Sequence, residues 1–212
     1  MKKIVLILIV LALIAGSCRV QKKSATHENG VVINGVKWAT RNVDEFGTFA
    51  PRPESEGKFY QWNRKMAWNI TDKTVDWDYS FPEGERWTET NDPSPTGWRM
   101  PTSDEIKTLL DTEKVKYKWV VQNGVSGGKF TDKKSGKSIF LPAVGYRFSC
   151  QRECLNNGKL ILAGEYCLYW SSTAMYRGSG ERYAYELNCS NHNVNCYDTN
   201  RNFGLSVRSV AK

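Results

Sequence analysis

One sixteen-residue stretch constrains this chain more than any other: Pro95-Thr96-Gly97-Trp98-Arg99-Met100-Pro101-Thr102-Ser103-Asp104-Glu105, running into Ile106-Lys107-Thr108-Leu109-Leu110. It holds a turn, an indole anchor and a helix start in succession. Pro101 presets the backbone before Thr102, a good N-cap residue, and Glu105 follows three positions later. Thr102 and Glu105 therefore read as a capping box, with the acids at 104 and 105 at the positive end of the helix dipole. The cap is worth about 1 kcal/mol. Ile106, Leu109 and Leu110 share one face of a short amphipathic helix. The stretch nucleates structure and carries no chemistry of its own.

Elsewhere the chain is punctuated for sheet. Val31-Val32-Ile33 leads through Asn34-Gly35 to Val36-Lys37-Trp38-Ala39, a two-residue hairpin signal. A short helix is expected over about 62–67. Val115 to Val121 reads as a strand with Trp119 inward. Asn123-Gly124 and Gly127-Gly128 read as turns, and Lys129-Phe130 pairs with Ser138 to Leu141. Gly164 to Thr173 is a strand containing Trp170. Arg182 to Cys189 pairs with Val194 to Tyr197, and Phe203 to Val210 alternates as a closing strand. These patterns predict an α+β fold of mixed antiparallel sheets, with one or two short helices and long ordered loops. About 180 residues are enough for one well-buried domain.

The first residues do not belong to that domain. Lys2 and Lys3 precede an uncharged apolar run from Ile4 to Ala15, followed by Gly16-Ser17-Cys18. The run is shorter than the roughly 20 residues a bilayer span needs. Small residues before a cysteine have the form of a bacterial lipobox, with Cys18 as the lipidated residue, against the alternative of an ordinary signal peptide. The expected organisation is a signal peptide over 1–18, a polar and basic tether over 19–29, and a single domain over 30–212.

Charge must be read with that leader removed. The 212 residues carry 30 Lys and Arg against 22 Asp and Glu, formally +8. Five of the bases (Lys2, Lys3, Arg19, Lys22 and Lys23) precede Glu28, and no acid does. The remainder holds 25 bases against 22 acids, a net +3, which is no nucleic-acid footprint. Each tether base would contribute about 1 kcal/mol beside anionic lipid headgroups.

The six cysteines reduce to Cys150, Cys154, Cys167, Cys189 and Cys196 once Cys18 is set aside. An exported chain permits disulfides. Cys189 and Cys196 flank the turn-like Ser190-Asn191-His192-Asn193, so a cross-strand bridge between them is the first expectation. A bridge from Cys150 or Cys154 to Cys167 is the second. Zinc is disfavoured, because there is no C-x-x-C pair and His192 is the only histidine after the tether. No phosphate-binding glycine loop and no nucleophile elbow occurs, and no cofactor or metal is expected.

The chain has eight Trp, ten Tyr and eight Phe, residues that serve cores and binding surfaces equally well. Asn69 to Ser94 concentrates the ambiguity. It holds Asp72, Asp76, Asp78, Glu83, Glu85, Glu89 and Asp92 among Trp77, Tyr79, Phe81 and Trp87. A connection of this length in a compact domain is unusual. Its aromatics either anchor the loop on the core with the acids solvated, or form an aromatic and carboxylate surface for a polar partner. Calcium at Asp76 and Asp78 is a third reading.

Several segments taken together resemble a known family. VINGVKWATRNV (32–43), GKFYQWNRKMAW (57–68), NDPSPTGWRMPTSDEI (91–106), IFLPAVGYR (139–147), YWSST (169–173) and FGLSVRSV (203–210) occur in the order seen in the Fibrobacter succinogenes major paralogous domain family. The resemblance covers roughly residues 31 to 210. It implies an exported protein or lipoprotein of the Bacteroidetes type with a C-type-lectin-like fold. Formylglycine-generating-enzyme-like domains share that fold and a similar helix start, here Arg99, Pro101, Thr102 and Glu105. Many relatives carry cysteine where this chain has Ser94 and Ser209, as expected if the two positions form one bridge in them. The EPN and WND triplets of calcium-dependent lectins are absent. Cys189 and Cys196 are further apart than the closely spaced thiol pair of the formylglycine enzymes.

The function expected from these features is a non-catalytic module. It would be lipid-anchored to the outer membrane, at the periplasmic face or cell surface, and would bind a glycan or a surface protein. Trp77, Tyr79 and Trp87 are candidates for stacking. Tyr176, Arg177 and Arg182, from the loop after YWSST, join them, with the arginines as hydrogen-bond donors. The alternatives are a structural subunit of a surface assembly such as a fimbria, and, less favoured, a formylglycine-type oxidase or a carboxylate-pair glycosidase.

Overall fold

The computed structural model describes residues 28–71, 76–150, 157–176, 178 and 182–212. The leader, Cys18, most of the tether, Cys154 and Arg177 lie outside the described residues. In chain order the strands are β1 (Val31–Ile33), β2 (Val36–Trp38), β3 (Phe59–Gln61), β4 (Ala67–Trp68), β5 (Trp98–Arg99), β6 (Val115–Gln122), β7 (Val125–Asp132), β8 (Ser138–Pro142), β9 (Tyr146–Arg147), β10 (Leu160–Ile161), β11 (Cys167–Met175), β12 (Tyr183–Cys189), β13 (Val194–Asn200), β14 (Gly204–Leu205) and β15 (Val210–Ala211). One helix, α1 (Ser103–Thr108), and a 3-10 turn at Glu89–Asn91 accompany them. The fold is sheet-rich, and among the described residues the strands pair antiparallel, with isolated parallel bridges from Cys167 and Tyr169 of β11 to Gly145 and Ser206.

Two hairpins close on Asn-Gly, where φ is positive at both turn residues: 44° and 83° at Asn34-Gly35, and 49° and 83° at Asn123-Gly124. That is the type I′ requirement. The capping box forms as expected. The Thr102 hydroxyl accepts from the Glu105 amide, and the Glu105 carboxylate accepts from the Thr102 amide. A bidentate ion pair from Arg99 at 2.6 and 2.8 Å then ties Glu105 to β5.

The four sheets have orders β1-β2-β15-β5, β10-β9-β14-β3-β4, β11-β12-β13 and β6-β7-β8. The C-terminal segment threads through two of them, with β15 between β2 and β5 and β14 between β9 and β3. Residues 201–210 are consequently all buried. This corrects the alternating strand expected there, since a segment covered on both sides has no wet face.

β11 divides the interior. Cys167 and Tyr169 face one core, with Ile33, Trp38, Ile106, Phe130, Leu141 and Leu187. Leu168 and Trp170 face the other, with Tyr60, Trp62, Trp87, Leu205 and Val207. Successive strand side chains point to opposite faces, so one strand serves both cores.

Three more expectations fail. No helix forms at 62–67: Asn63 takes φ 55°, and the chain turns from β3 into β4. Gly127 and Gly128 are interior to β7 rather than in a turn. A Cβ at Gly127 would lie 2.3 Å from the Leu141 carbonyl oxygen, and one at Gly128 would lie 3.1 Å from Cys189 Sγ, so the glycines permit close strand approach. Finally, Glu28, assigned to the tether, belongs to the fold. Its carboxylate is buried against Arg41 at 2.8 Å and accepts from the Gly30 and Thr40 amides.

Candidate functional site

The long loop after β4 is held by polar side chains that donate to its backbone carbonyls. Gln61 Nε2 donates to Asp78 O (2.5 Å) and Asn202 Nδ2 to Tyr79 O (3.0 Å). Arg201, fully buried, reaches Gly84 O (2.8 Å) and lies 4.2 Å from the Trp62 ring centre. Arg147, also fully buried, donates to Asn69 O and Gly158 O. The loop's far end is stitched to β11 by a bridge between Arg86 and Thr173 and by the Trp87 amide on Ser172 O at 2.9 Å. These bonds satisfy backbone carbonyls of the described part of the loop that no strand ladder reaches.

Beside β3 and β4 the loop borders an open cleft of about 500 Å³. Its apolar wall is Trp68 with the exposed Met66, and its polar fringe includes Gln61, Asn63, Arg64, Asp76 and Asp78. Arg64 forms an ion pair with Asp78 and also donates to Ser80 Oγ at 2.6 Å. Burial works to raise the Asp78 carboxyl. The Ser80 amide and hydroxyl and the Arg64 guanidinium outweigh it and hold the group below its ordinary value. Asp78 is therefore a fixed anionic acceptor. The Trp68 indole N–H is buried with no partner. Seven of the nine lining residues are polar, with Lys65 and Asn91 completing the fringe, so the cleft suits a polar or hydroxyl-rich group.

Trp77 and Trp87, expected to stack on a ligand, are only 5% and 6% exposed, which corrects that role. Trp77 packs on Trp68 with ring centres 4.8 Å apart and donates to Asn202 O at 3.1 Å. It backs the cleft wall rather than forming it. Trp87 packs edge-on against Trp62 and donates to Asn91 O at 2.8 Å. Tyr79 and Tyr176 are exposed, at 43% and 53%. Arg182 is exposed and sits over the Phe81 ring at 5.1 Å, which brings the loop after YWSST against the long loop. Among the described residues no cluster of His, Cys, Asp and Glu gathers around a metal position.

Neither Trp68 as the cleft wall nor the full burial of Arg147, Arg201 and Arg208 was legible in the sequence. The indole was legible as an aromatic in a strand-like run, but its partial exposure follows from where the long loop lands.

The cysteine expectations also change. Cys167, Cys189 and Cys196 carry free thiols, whereas Cys150 is disulfide-bonded. Cys189 pairs with Val194 and Cys196 with Leu187. The two cysteines are thus diagonal neighbours, about 7–8 Å apart and beyond disulfide reach. Burial pushes the Cys196 thiol up to about 11. A bridge from Cys150 or Cys154 to Cys167 is likewise ruled out, because Cys167 is free.

Comparison with models of known protein families, with curated proteins and with solved structures finds no match.

Proposed function

We propose that this chain is a non-catalytic, lipid-anchored binding module that takes the polar end of a glycan or a surface protein into the Trp68 cleft. The supporting observation is the pairing of a half-exposed indole wall with an anionic acceptor fixed by Arg64 and Ser80. An aromatic face covers the apolar side of a sugar ring, while amides, a carboxylate and a guanidinium meet its hydroxyls. Asp78, held ionised, suits hydrogen-bond acceptance rather than proton donation. Anchoring through Cys18 at the outer membrane, membership of the major paralogous domain family and a C-type-lectin-like arrangement of the sheets complete the reading. They rest on the leader pattern and the six motifs.

A glycan array with the full chain, followed by titration calorimetry on Trp68→Ala and Asp78→Asn, tests it. The expected outcome is binding to at least one glycan class that falls tenfold or more in each variant, with folding preserved. No glycan binding by the wild type, together with capture of a protein partner insensitive to both changes, would replace this reading with that of a structural subunit.

A further inference from the structure

We infer that Cys167 and Cys189, whose thiols are free in this structure, are joined in a cross-strand disulfide when the chain folds under oxidising conditions, and that the bond is then sealed inside the domain. The two residues are directly opposed in the antiparallel pairing of β11 and β12. Directly opposed positions bring Cβ atoms to about 4.5–5.5 Å, next to the range a disulfide spans. Both side chains are 0% exposed and belong to the same core cluster. Cys167 Sγ donates to Leu141 O, at 3.2 Å. Oxidation therefore gives up one weak S–H bond and leaves no strong donor unpaired.

Gly128 faces Cys189 Sγ, and Tyr117 covers it from β6. Burial, and next the hydrogen bond with Cys167, push the Cys189 thiol up. The thiolate needed for exchange is thus suppressed once the sheet has closed. The reaction belongs to the open chain. One thiolate attacks an external disulfide, R–S–S–R, whose S–S bond breaks to release one R–SH. The second thiol then displaces the other R–SH as the Cys167–Cys189 bond forms. The chain loses two electrons and two protons, and the external disulfide gains both. The inference draws on the exported location proposed above, and the disulfide already present at Cys150 suits the same setting.

The test is oxidative refolding of the full chain from the reduced, denatured state in a glutathione redox buffer, followed by non-reducing peptide mapping. The expected product is a Cys167–Cys189 linked peptide. The same buffer should leave a chain that was first folded under reducing conditions unlinked at these positions. The linked chain should melt roughly 5–10 °C above the unlinked chain kept in the same buffer. Recovery of free Cys167 and Cys189 from a correctly refolded sample, or linkage of either to Cys196, would overturn the inference. A Cys196→Ser chain removes that competing thiol and must still give the linked peptide. These outcomes do not involve ligand, so a failed glycan screen and a failed linkage are separate results.

Discussion

Ser209 Oγ donates to Ser94 Oγ across 2.7 Å, joining positions 115 residues apart. Ser209 is fully buried beside β15. The contact fastens the segment leading into β5 to the C-terminal strand, while the Ala39 amide holds the Ser209 carbonyl at 2.9 Å. Two side chains aimed at each other at this distance are already arranged as a disulfide would need.

The double change Ser94→Cys with Ser209→Cys should therefore form a disulfide without backbone movement. It should stabilise the chain by about 2–4 kcal/mol, because the loop it closes is long. Urea unfolding with and without reductant measures the gain. No shift between the two conditions would show that the segments are not held together as described.

Glu186 is fully buried, with one carboxylate oxygen lacking a partner. Burial, with Asp198 adding to it, pushes its carboxyl up to about 8, against a weaker opposing bond from Asn188. The folded value lies above the unfolded 4.5, so the folded chain holds the proton longer than the unfolded one. Stability is fully present below about pH 4.5 and falls as pH rises towards 8. Glu186→Gln should remove that slope and raise stability at pH 8 by on the order of 2 kcal/mol. Thermal melts at pH 5, 6.5 and 8 read both effects.

Trp77→Ala and Trp87→Ala should each cost about 3–5 kcal/mol, the usual penalty for emptying a buried indole site. Trp68→Ala, at a partly exposed position, should cost less and act mainly on binding. Comparing denaturation midpoints with ligand titrations separates the two classes. A Trp77→Ala chain of wild-type stability would contradict its role behind the cleft wall.

Thr102→Ala should lose about 1 kcal/mol with the cap. Glu105 gives the matching acid-side signature. Burial works to raise its carboxyl, but Arg99 and the Thr102 amide hold it below the ordinary value. Its contribution is present above pH 4.5 and is lost as the pH falls below that. Acid titration of stability should show a shallower loss in Glu105→Gln than in the wild type.

Local signals were the most legible in the chain. The Thr102–Glu105 box, the Asn34-Gly35 hairpin, the turn at Asn123-Gly124 and the β12/β13 pairing follow from short-range stereochemistry, and each formed as read. The disulfide between Cys189 and Cys196 failed for a reason of register. Four loop residues, Ser190 to Asn193, place Cys189 opposite Val194, and that offset is set by how the hairpin closes. Trp77 and Trp87 failed for a different reason. An indole in a polar loop looks the same in sequence whether it faces water or a second indole.

What the sequence determined by itself is a sheet-rich chain of short strands with one capped helix, because capping and turn conformation depend on a few neighbouring residues. What only the tertiary structure decided is which aromatics face solvent, which thiols meet, and that Arg147, Arg201 and Arg208 are buried. Their guanidiniums donate to groups brought from distant segments: backbone carbonyls around Arg147 and Arg201, and Asn42 Oδ1 together with Ala39 O and Phe140 O around Arg208. No pattern along the chain marks a carbonyl as an arginine's partner; the packing of one segment against another creates that relation.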